Sequence, residues 1–181
     1  MKKYGKTIDN VSKLAIHILP VSAVKPDILD TKPQNTALIV CSEEACLFTN
    51  LFSESLIIPF ADTRDKHGLG SITSDQAKNI VAFAKKIHFS VTDLYICCSE
   101  GVSRSPAVAA VLLRMSGRSD KAVWNNPFYS PNPLVYQIIC HEAGVFAPTW
   151  YVWLLKNKNA FIYKLSKARG NTGKYERWQI I

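Results

Sequence analysis

The sequence predicts an α/β protein with a single domain, in which a central mixed β-sheet is flanked by helices. Two observations favour this fold class. Short apolar runs with strand-like composition alternate along the chain with segments whose apolar residues recur at helical spacing. The length of 181 residues suits about one domain, and the composition, 48% hydrophobic and 20% charged, is that of an ordinary globular protein.

The first half of the chain is predicted to supply three strands, because three short apolar runs contain the β-branched side chains that buried strands favour. The first run ends at Pro20, which lacks the backbone N–H that a strand interior needs. After the second run, Ser42 is predicted to cap a helix with Glu43 and Glu44 in its first turn, since carboxylates suit the positive helix end. The three runs are residues 14–19, 37–41 and 56–60.

Thr73 and Gln76 have the spacing of a helix capping box, and apolar residues then recur at helical spacing up to residue 87. A fourth strand is predicted over residues 94–97. A helix follows over residues 107–115, and Pro106 lies in its first turn, where proline is favoured.

Two more helices are predicted near the end of the chain. Asn132 and Pro133 form a helix start, and Gly144 is suited to end the same helix. A last helix is predicted over about residues 149–167.

The chemically most specific segment is CSEGVSRSP, residues 98–106. A predicted strand leads into it and a predicted helix leaves it, so backbone N–H groups of the loop and of the first helical turn converge on one anion. Gly101 allows a tight turn, and the guanidinium of Arg104 matches two phosphate oxygens. A thiol at the base of such a site is stabilised as thiolate by these donors. The spacing therefore predicts that Cys98 is a nucleophile aimed at a bound phosphate.

Cys97 is the neighbour of that nucleophile in the sequence. Successive side chains of a strand point to opposite faces, so Cys97 is predicted to face away from the phosphate site. We interpret it as a small, buried apolar residue.

CSEGVSRSP resembles the signature loop of the cysteine-based protein tyrosine phosphatase superfamily, and most closely its dual-specificity phosphatase branch. The resemblance covers about residues 35–145. It departs from the family pattern at Cys97, where the family usually has a histidine. The matching positions are Cys98, Gly101, Ser103, Arg104 and Ser105, with Glu100 among the residues that the family accepts.

The resemblance implies a mechanism without metal or other cofactor. Cys98 would attack phosphorus and form a phosphocysteine, while Arg104 and the loop amides stabilise the phosphoryl oxygens. Ser105 would donate a hydrogen bond to the thiolate and help it to leave. The implied phosphate-binding residues are Ser99, Glu100, Gly101, Val102, Ser103 and Arg104.

The segment Ala61-Asp62-Thr63 is similar to the family loop that carries the general acid. The resemblance implies that Asp62 protonates the leaving oxygen and then activates water. Asp65, on the same loop, is the alternative acid. We favour Asp62 because it directly follows the predicted strand and carries the matching Thr63.

The implied activity is that of a cysteine-dependent phosphoric monoester hydrolase, a protein phosphatase acting on phosphotyrosine and, in a shallow pocket, also on phosphoserine or phosphothreonine. The loop between Cys98 and Arg104 contains no lysine, which disfavours phosphoinositide substrates. The alternatives are a phosphatase of RNA 5′-phosphates or another polyanion, and a pseudophosphatase that binds phosphate without turnover.

Residues 1–150 are predicted to form the phosphatase-like catalytic domain, and residues 151–181 a basic helix and tail that pack on it or extend from it. This last segment holds seven Lys or Arg residues against one Glu, although the net charge of the whole chain is only +8. Two interpretations stay open: a solvated helix face, or a docking surface for an anionic partner.

The chain is expected to work in the cytoplasm. It has no apolar run of the ~18 residues that a membrane span needs, and its first residues lack the apolar segment of a secretory signal. Five cysteines, an odd number without a C-x-x-C pair, argue against a disulfide framework, and no Cys/His group has the spacing of a zinc site.

Overall fold

Four parallel strands form one sheet in the computed structural model, which describes residues 14–26, 35–43 and 48–169. The order of strands across the sheet is β1-β4-β2-β3, so β4 lies in the interior between β1 and β2. The register pairs Pro20 with Cys98 and Val40 with Cys97. The strands are β1 (Ala15–Pro20), β2 (Thr36–Val40), β3 (Glu54–Ile57) and β4 (Asp93–Cys98).

The predicted fold class, a single α/β domain with a central sheet and flanking helices, is confirmed. The prediction of a mixed sheet needs a correction, because every strand pair within the described residues is parallel. Parallel neighbours are joined by crossovers and not by hairpins. The connection from β3 to β4 contains a helix and passes β2, so β4 enters the sheet in the same direction as β3.

Five helices are present in the described ranges. Thr73 caps the first, and the predicted capping box with Gln76 is formed in both directions. Asn132 caps the fourth, which ends at Gly144 in the left-handed conformation, with φ of 69°. The helices are α1 (Ser74–Ile87), α2 (Arg104–Met115), α3 (Lys121–Trp124), α4 (Pro133–Ala143) and α5 (Thr149–Ala168).

Two predicted elements of the first half differ from the structure or lie outside it. The strand predicted over residues 56–60 is found at Glu54–Ile57, because its partner β2 ends at Val40 and Pro59 has no N–H to continue the pairing. Ser42 lies in a bend, and most of the helix predicted after it falls on residues 44–47, outside the described residues.

The two faces of the sheet are covered differently. Helices α1, α2 and α4 pack on one face, to which Ile39, Ile96 and Cys98 contribute. A smaller cluster covers the other face, where Val40 and Cys97 pack with residues of the turns that follow β1 and precede β3. Cys97 and Cys98 therefore belong to opposite faces, as the alternation of side chains along a strand predicts.

Helix α5 packs on α3 and α4 along one narrow stripe, formed by Val152, Asn159 and Ser166. The buried amide of Asn159 donates hydrogen bonds to the carbonyl oxygens of Trp124, at 3.0 Å, and Asn126, at 3.3 Å. This contact fixes α5 to the segment between α3 and α4. None of the helices in the described ranges has the length and apolar character needed to cross a membrane.

Candidate active site

The loop of residues 99–103 connects the end of β4 to the start of α2, as the sequence predicts. Gly101 lies at the turn with φ of 67°, in the left-handed region that glycine adopts without steric penalty. The carbonyl oxygens of Val102 and Ser103 point outward and accept hydrogen bonds from the N–H groups of Ser130, at 2.8 Å, and Asn132, at 3.1 Å. The loop is thus supported by the segment that precedes α4.

The backbone N–H groups of residues 99–104 do not donate to any other described residue. They lie at the N-terminal end of α2, a helix of 12 residues whose dipole places partial positive charge at this point. Unpaired amides at a helix N-terminus bind anions well. The loop therefore has the donors for an anion with several oxygens.

The guanidinium of Arg104 is buried and fixed by backbone groups. Nη1 donates to the carbonyl oxygens of Cys41, at 3.0 Å, and Phe60, at 2.8 Å, and Nη2 donates to Oγ of Ser99, at 2.8 Å. Nε is buried and has no hydrogen-bond partner among the described residues. Buried donors are nearly always paired, so the orientation of Arg104 leaves Nε for a ligand.

The thiol of Cys98 lies at the bottom of the loop and is 2% exposed. Its Sγ is 3.2 Å from Oγ of Ser105, in the first turn of α2. Burial raises the pKa of two other thiols, that of Cys41 well above its ordinary value and that of Cys140 to about 11. These two thiols are therefore protonated at neutral pH.

The carboxylate of Asp62 is held over the loop by two donors. Oγ of Ser103 donates to Oδ1 at 2.8 Å, and Nδ2 of Asn132 donates to the same oxygen at 2.7 Å. Among the described residues both donors bind Oδ1, which leaves Oδ2 to hold a proton. Asp65 is oriented differently, since its Oδ1 accepts from the N–H of His67 within its own turn.

Asn132 has a second role that the sequence did not reveal. Its Oδ1 caps α4 by accepting from the N–H groups of Leu134 and Val135, as predicted. Its Nδ2 also binds Asp62 and the carbonyl oxygen of Thr63, 70 and 69 residues away in the chain. A pattern of helix-cap residues predicts the first role, whereas only the folded chain brings Asn132 to the loop of Asp62.

These groups surround one open cavity of about 290 Å³. The residues predicted for the site line this cavity, with two exceptions. Gly101 forms the turn behind the cavity, and Ser105 contacts Cys98 from below. No group of three or more His, Cys, Asp and Glu side chains in the described ranges is placed to hold a metal ion. The cavity is lined by Asp62, Cys98, Ser99, Glu100, Val102, Ser103 and Arg104.

A second, larger groove of about 830 Å³ lies beside the loop of Asp62. The residues after Asp65 form one wall, and the start of α1 and one side of α4 form the rest. Its lining is mixed, with Lys66, His141 and Glu142 next to Ile72 and Leu134.

No protein-family model matches the chain, and no curated protein matches it. Several solved structures are similar to it. Human DUSP28 is 16% identical, with 87% of this chain and 96% of that chain covered and a TM-score of 0.45. A mouse putative dual specificity phosphatase, complexed with zinc tungstate, is 15% identical, with 93% and 97% covered and a TM-score of 0.45. PTPMT1, in complex with PI(5)P, is 17% identical, with 73% and 81% covered and a TM-score of 0.37.

One of these structures is described as a putative dual specificity phosphatase. At these identities and TM-scores, no activity, substrate or residue role transfers from them to this chain. The chemistry of the site rests on its own atoms: a buried thiol, an arginine whose Nε has no partner among the described residues, loop amides that donate to no described residue, and a positioned carboxyl group.

Proposed function

We propose that the protein is a metal-independent phosphatase that hydrolyses phosphate monoesters of proteins through a phosphocysteine intermediate. One observation carries the proposal: Cys98, Arg104 and Asp62 line the same cavity of about 290 Å³. Each supplies a different requirement of phosphoryl transfer, namely a nucleophile, a positive charge for the phosphoryl oxygens and a proton for the leaving group.

The phosphoryl group binds to the loop amides and to Arg104. Nη1 and one N–H of Nη2 are engaged by the protein, so Nε is the donor directed to a phosphoryl oxygen. Because these donors are fixed before the substrate arrives, they stabilise the charge on the equatorial oxygens without reorganising.

In the first step, Sγ of Cys98 attacks as the thiolate and forms a bond to phosphorus while the bond from phosphorus to the ester oxygen breaks. The leaving oxygen takes the proton from Oδ2 of Asp62 and departs as a neutral alcohol or phenol. In the second step, water attacks phosphorus, its proton returns to Asp62, and the bond from phosphorus to sulfur breaks. The hydrogen bond between Ser105 and Sγ stabilises the departing thiolate.

The shape around the site supports a protein substrate. The groove of about 830 Å³ beside the loop of Asp62 has a lining of mixed polarity, which suits residues on one side of a phosphorylated side chain. The thiol of Cys98 lines the cavity of about 290 Å³, and we take phosphotyrosine as the first candidate substrate, with phosphoserine and phosphothreonine as further candidates.

The test is turnover of p-nitrophenyl phosphate in EDTA, followed by matched variants. We expect Cys98→Ser to abolish turnover and Cys97→Ser to retain most of it, because Cys97 lies on the other face of the sheet. With phenyl phosphate, whose leaving group needs protonation, Asp62→Asn should lower kcat by ~10²–10⁴ and leave vanadate binding nearly intact, whereas Asp65→Asn should have a small effect.

Three outcomes would contradict the proposal. Loss of turnover in a folded Cys97→Ser variant, with retention in Cys98→Ser, would move the nucleophile. A larger effect of Asp65→Asn would move the acid. Vanadate binding without any turnover would favour a pseudophosphatase. Once turnover is established, equal concentrations of phosphotyrosine peptide, phosphothreonine peptide, phosphoinositide and 5′-phosphorylated RNA identify the substrate class.

A further inference from the structure

Helix α5 exposes large apolar side chains along the face that points away from the rest of the protein. Trp150, Trp153, Leu154 and Phe161 are 63%, 62%, 49% and 61% exposed. Their separations of three, four and seven residues place them on one side of a helix, over a length of about 16 Å. We call these four residues the α5 stripe.

The α5 stripe is separate from the side of α5 that packs on the rest of the protein. The buried residues of this helix, Val152, Asn159 and Ser166, recur every seven residues on the opposite side. The hydrogen bonds of Asn159 to the segment after α3 fix the rotation of the helix about its axis. The α5 stripe therefore stays on the outside for as long as this contact is formed.

The charges on α5 are all of one sign. Between Thr149 and Ala168 the helix carries four lysines and no aspartate or glutamate. Lys158 lies four residues after Leu154, and Lys164 lies three residues after Phe161, so these two exposed lysines border the α5 stripe. Lys156 and Lys167 lie further round the helix.

We propose that α5 docks the protein on the surface of a bilayer that contains anionic lipid, with the α5 stripe inserted at the interface and the lysines on the headgroups. Helices of this kind have an apolar face and a basic polar face and lie in the plane of the interface. Tryptophan is enriched at the headgroup level of bilayers. The stem of a lysine side chain extends along an apolar surface while its ammonium group stays in water. The proposal does not depend on the phosphatase activity.

Two other partners fit the same helix less well. A second copy of the chain would bring the lysines of both helices together across a two-fold axis, which repulsion disfavours. A single-stranded nucleic acid would stack on the indoles and bind the lysines, yet it offers no apolar surface for Leu154. A bilayer satisfies the apolar and the charged residues together.

The experiment is co-sedimentation with vesicles of phosphatidylcholine alone and of phosphatidylcholine mixed with phosphatidylserine. We expect binding to the mixed vesicles and much less to the neutral ones. Lys158→Gln/Lys164→Gln should weaken binding by about fivefold for each lysine. Trp150→Ser/Trp153→Ser should remove most of the binding, and these exposed positions leave the fold intact.

Matched controls carry the same changes elsewhere. Phe89→Ser removes an aromatic ring that is 89% exposed at the end of α1, and Lys85→Gln removes an exposed α1 charge. Both should bind vesicles as the unaltered chain does. Trp178→Phe leaves three tryptophans, of which Trp124 is buried and the other two belong to the α5 stripe. In this background the tryptophan emission should shift to shorter wavelength on binding, because the indoles of the α5 stripe enter the interface.

The proposal is wrong if no variant or lipid composition changes sedimentation, or if the control variants lose as much binding as the α5 variants. It is also wrong if the mixed vesicles do not bind while a single-stranded oligonucleotide does and the α5 variants lose that binding. A concentration-dependent dimer that the tryptophan variants abolish, without vesicle binding, would assign the α5 stripe to a second copy.

Discussion

Replacing Asn132 tests how the carboxyl group of Asp62 is positioned. Asn132 is fully buried, and its Nδ2 is one of two donors that hold Oδ1 of Asp62, the other being Oγ of Ser103. Asn132→Ala removes one donor and leaves the second in place. We therefore expect the leaving oxygen to receive its proton from a carboxyl group that is less well oriented.

The size of the effect follows from these contacts. Asp62 is protonated and neutral when it acts as the acid, and a hydrogen bond between neutral groups contributes about 0.5–1.5 kcal/mol. If that energy is used only to orient the acid, its loss slows the proton-transfer step by about 2- to 12-fold, at about 1.4 kcal/mol for each factor of ten. Asn132→Ala also removes the cap of α4, which should lower the free energy of unfolding by about 1 kcal/mol.

Asn132→Asp separates these two consequences. A carboxylate caps a helix as well as an amide does, so the hydrogen bonds to Leu134 and Val135 remain. As a carboxylate it has no N–H to donate to Asp62, and it places a second carboxyl oxygen at a contact of 2.7 Å, where the two acids compete for one proton. The two acids then titrate as a pair, one of them with a raised pKa. We expect the kinetic defect without the loss of the cap.

The assay compares p-nitrophenyl phosphate, whose leaving group needs little protonation, with phenyl phosphate, whose leaving group needs much more. Both Asn132 variants should slow phenyl phosphate more than p-nitrophenyl phosphate, and urea unfolding should report the cap only in the alanine variant. Equal slowing of both substrates, or an unchanged kcat in a destabilised alanine variant, would refute a positioning role for Asn132.

Two further predictions use the pKa shifts. Iodoacetamide at neutral pH should modify Cys98 well before Cys140, since burial raises the pKa of Cys140 to about 11; faster modification of Cys140, located by peptide mapping, would contradict this. Burial raises the pKa of Asp93, but hydrogen bonds from Thr92 and His17 outweigh this effect and lower the pKa below the ordinary 3.8. The carboxylate therefore stabilises the fold above about pH 4. This stability is lost as the pH falls through the lowered pKa. In Asp93→Asn, the midpoint of urea unfolding should depend less on pH below about pH 4. The assignment is wrong if this midpoint depends on pH as it does in the unaltered chain.

Local features of the site were predictable from the sequence because neighbouring residues carry them. The capping box at Thr73, the cap at Asn132 and the turn at Gly101 each depend on a few consecutive residues. The Cys98 loop was predictable for the same reason, since strand, loop and helix are contiguous in the chain.

The contacts that orient the site were not predictable in this way. Asp62 is bound by Ser103 and Asn132, which lie 41 and 70 residues further on, and no sequence periodicity relates these positions. The serine before α2 looks like an ordinary helix cap, yet its hydroxyl donates to Asp62 and makes no cap hydrogen bond. The direction of the strands was likewise undetermined, because an apolar run has the same composition in either orientation.

The hydrogen bonds of Asn159 affect how the chain can be shortened. They join α5 to the carbonyl oxygens of Trp124 and Asn126, and the same segment continues to Ser130 and Asn132, whose N–H groups donate to the loop of residues 99–103. A fragment ending at residue 150 would keep every residue of the cavity but would lose the hydrogen bonds of Asn159. Such a fragment would contain all the catalytic groups, but the segment that supports the loop of residues 99–103 would lose its hydrogen bonds to α5. The smallest active fragment should therefore extend past residue 159.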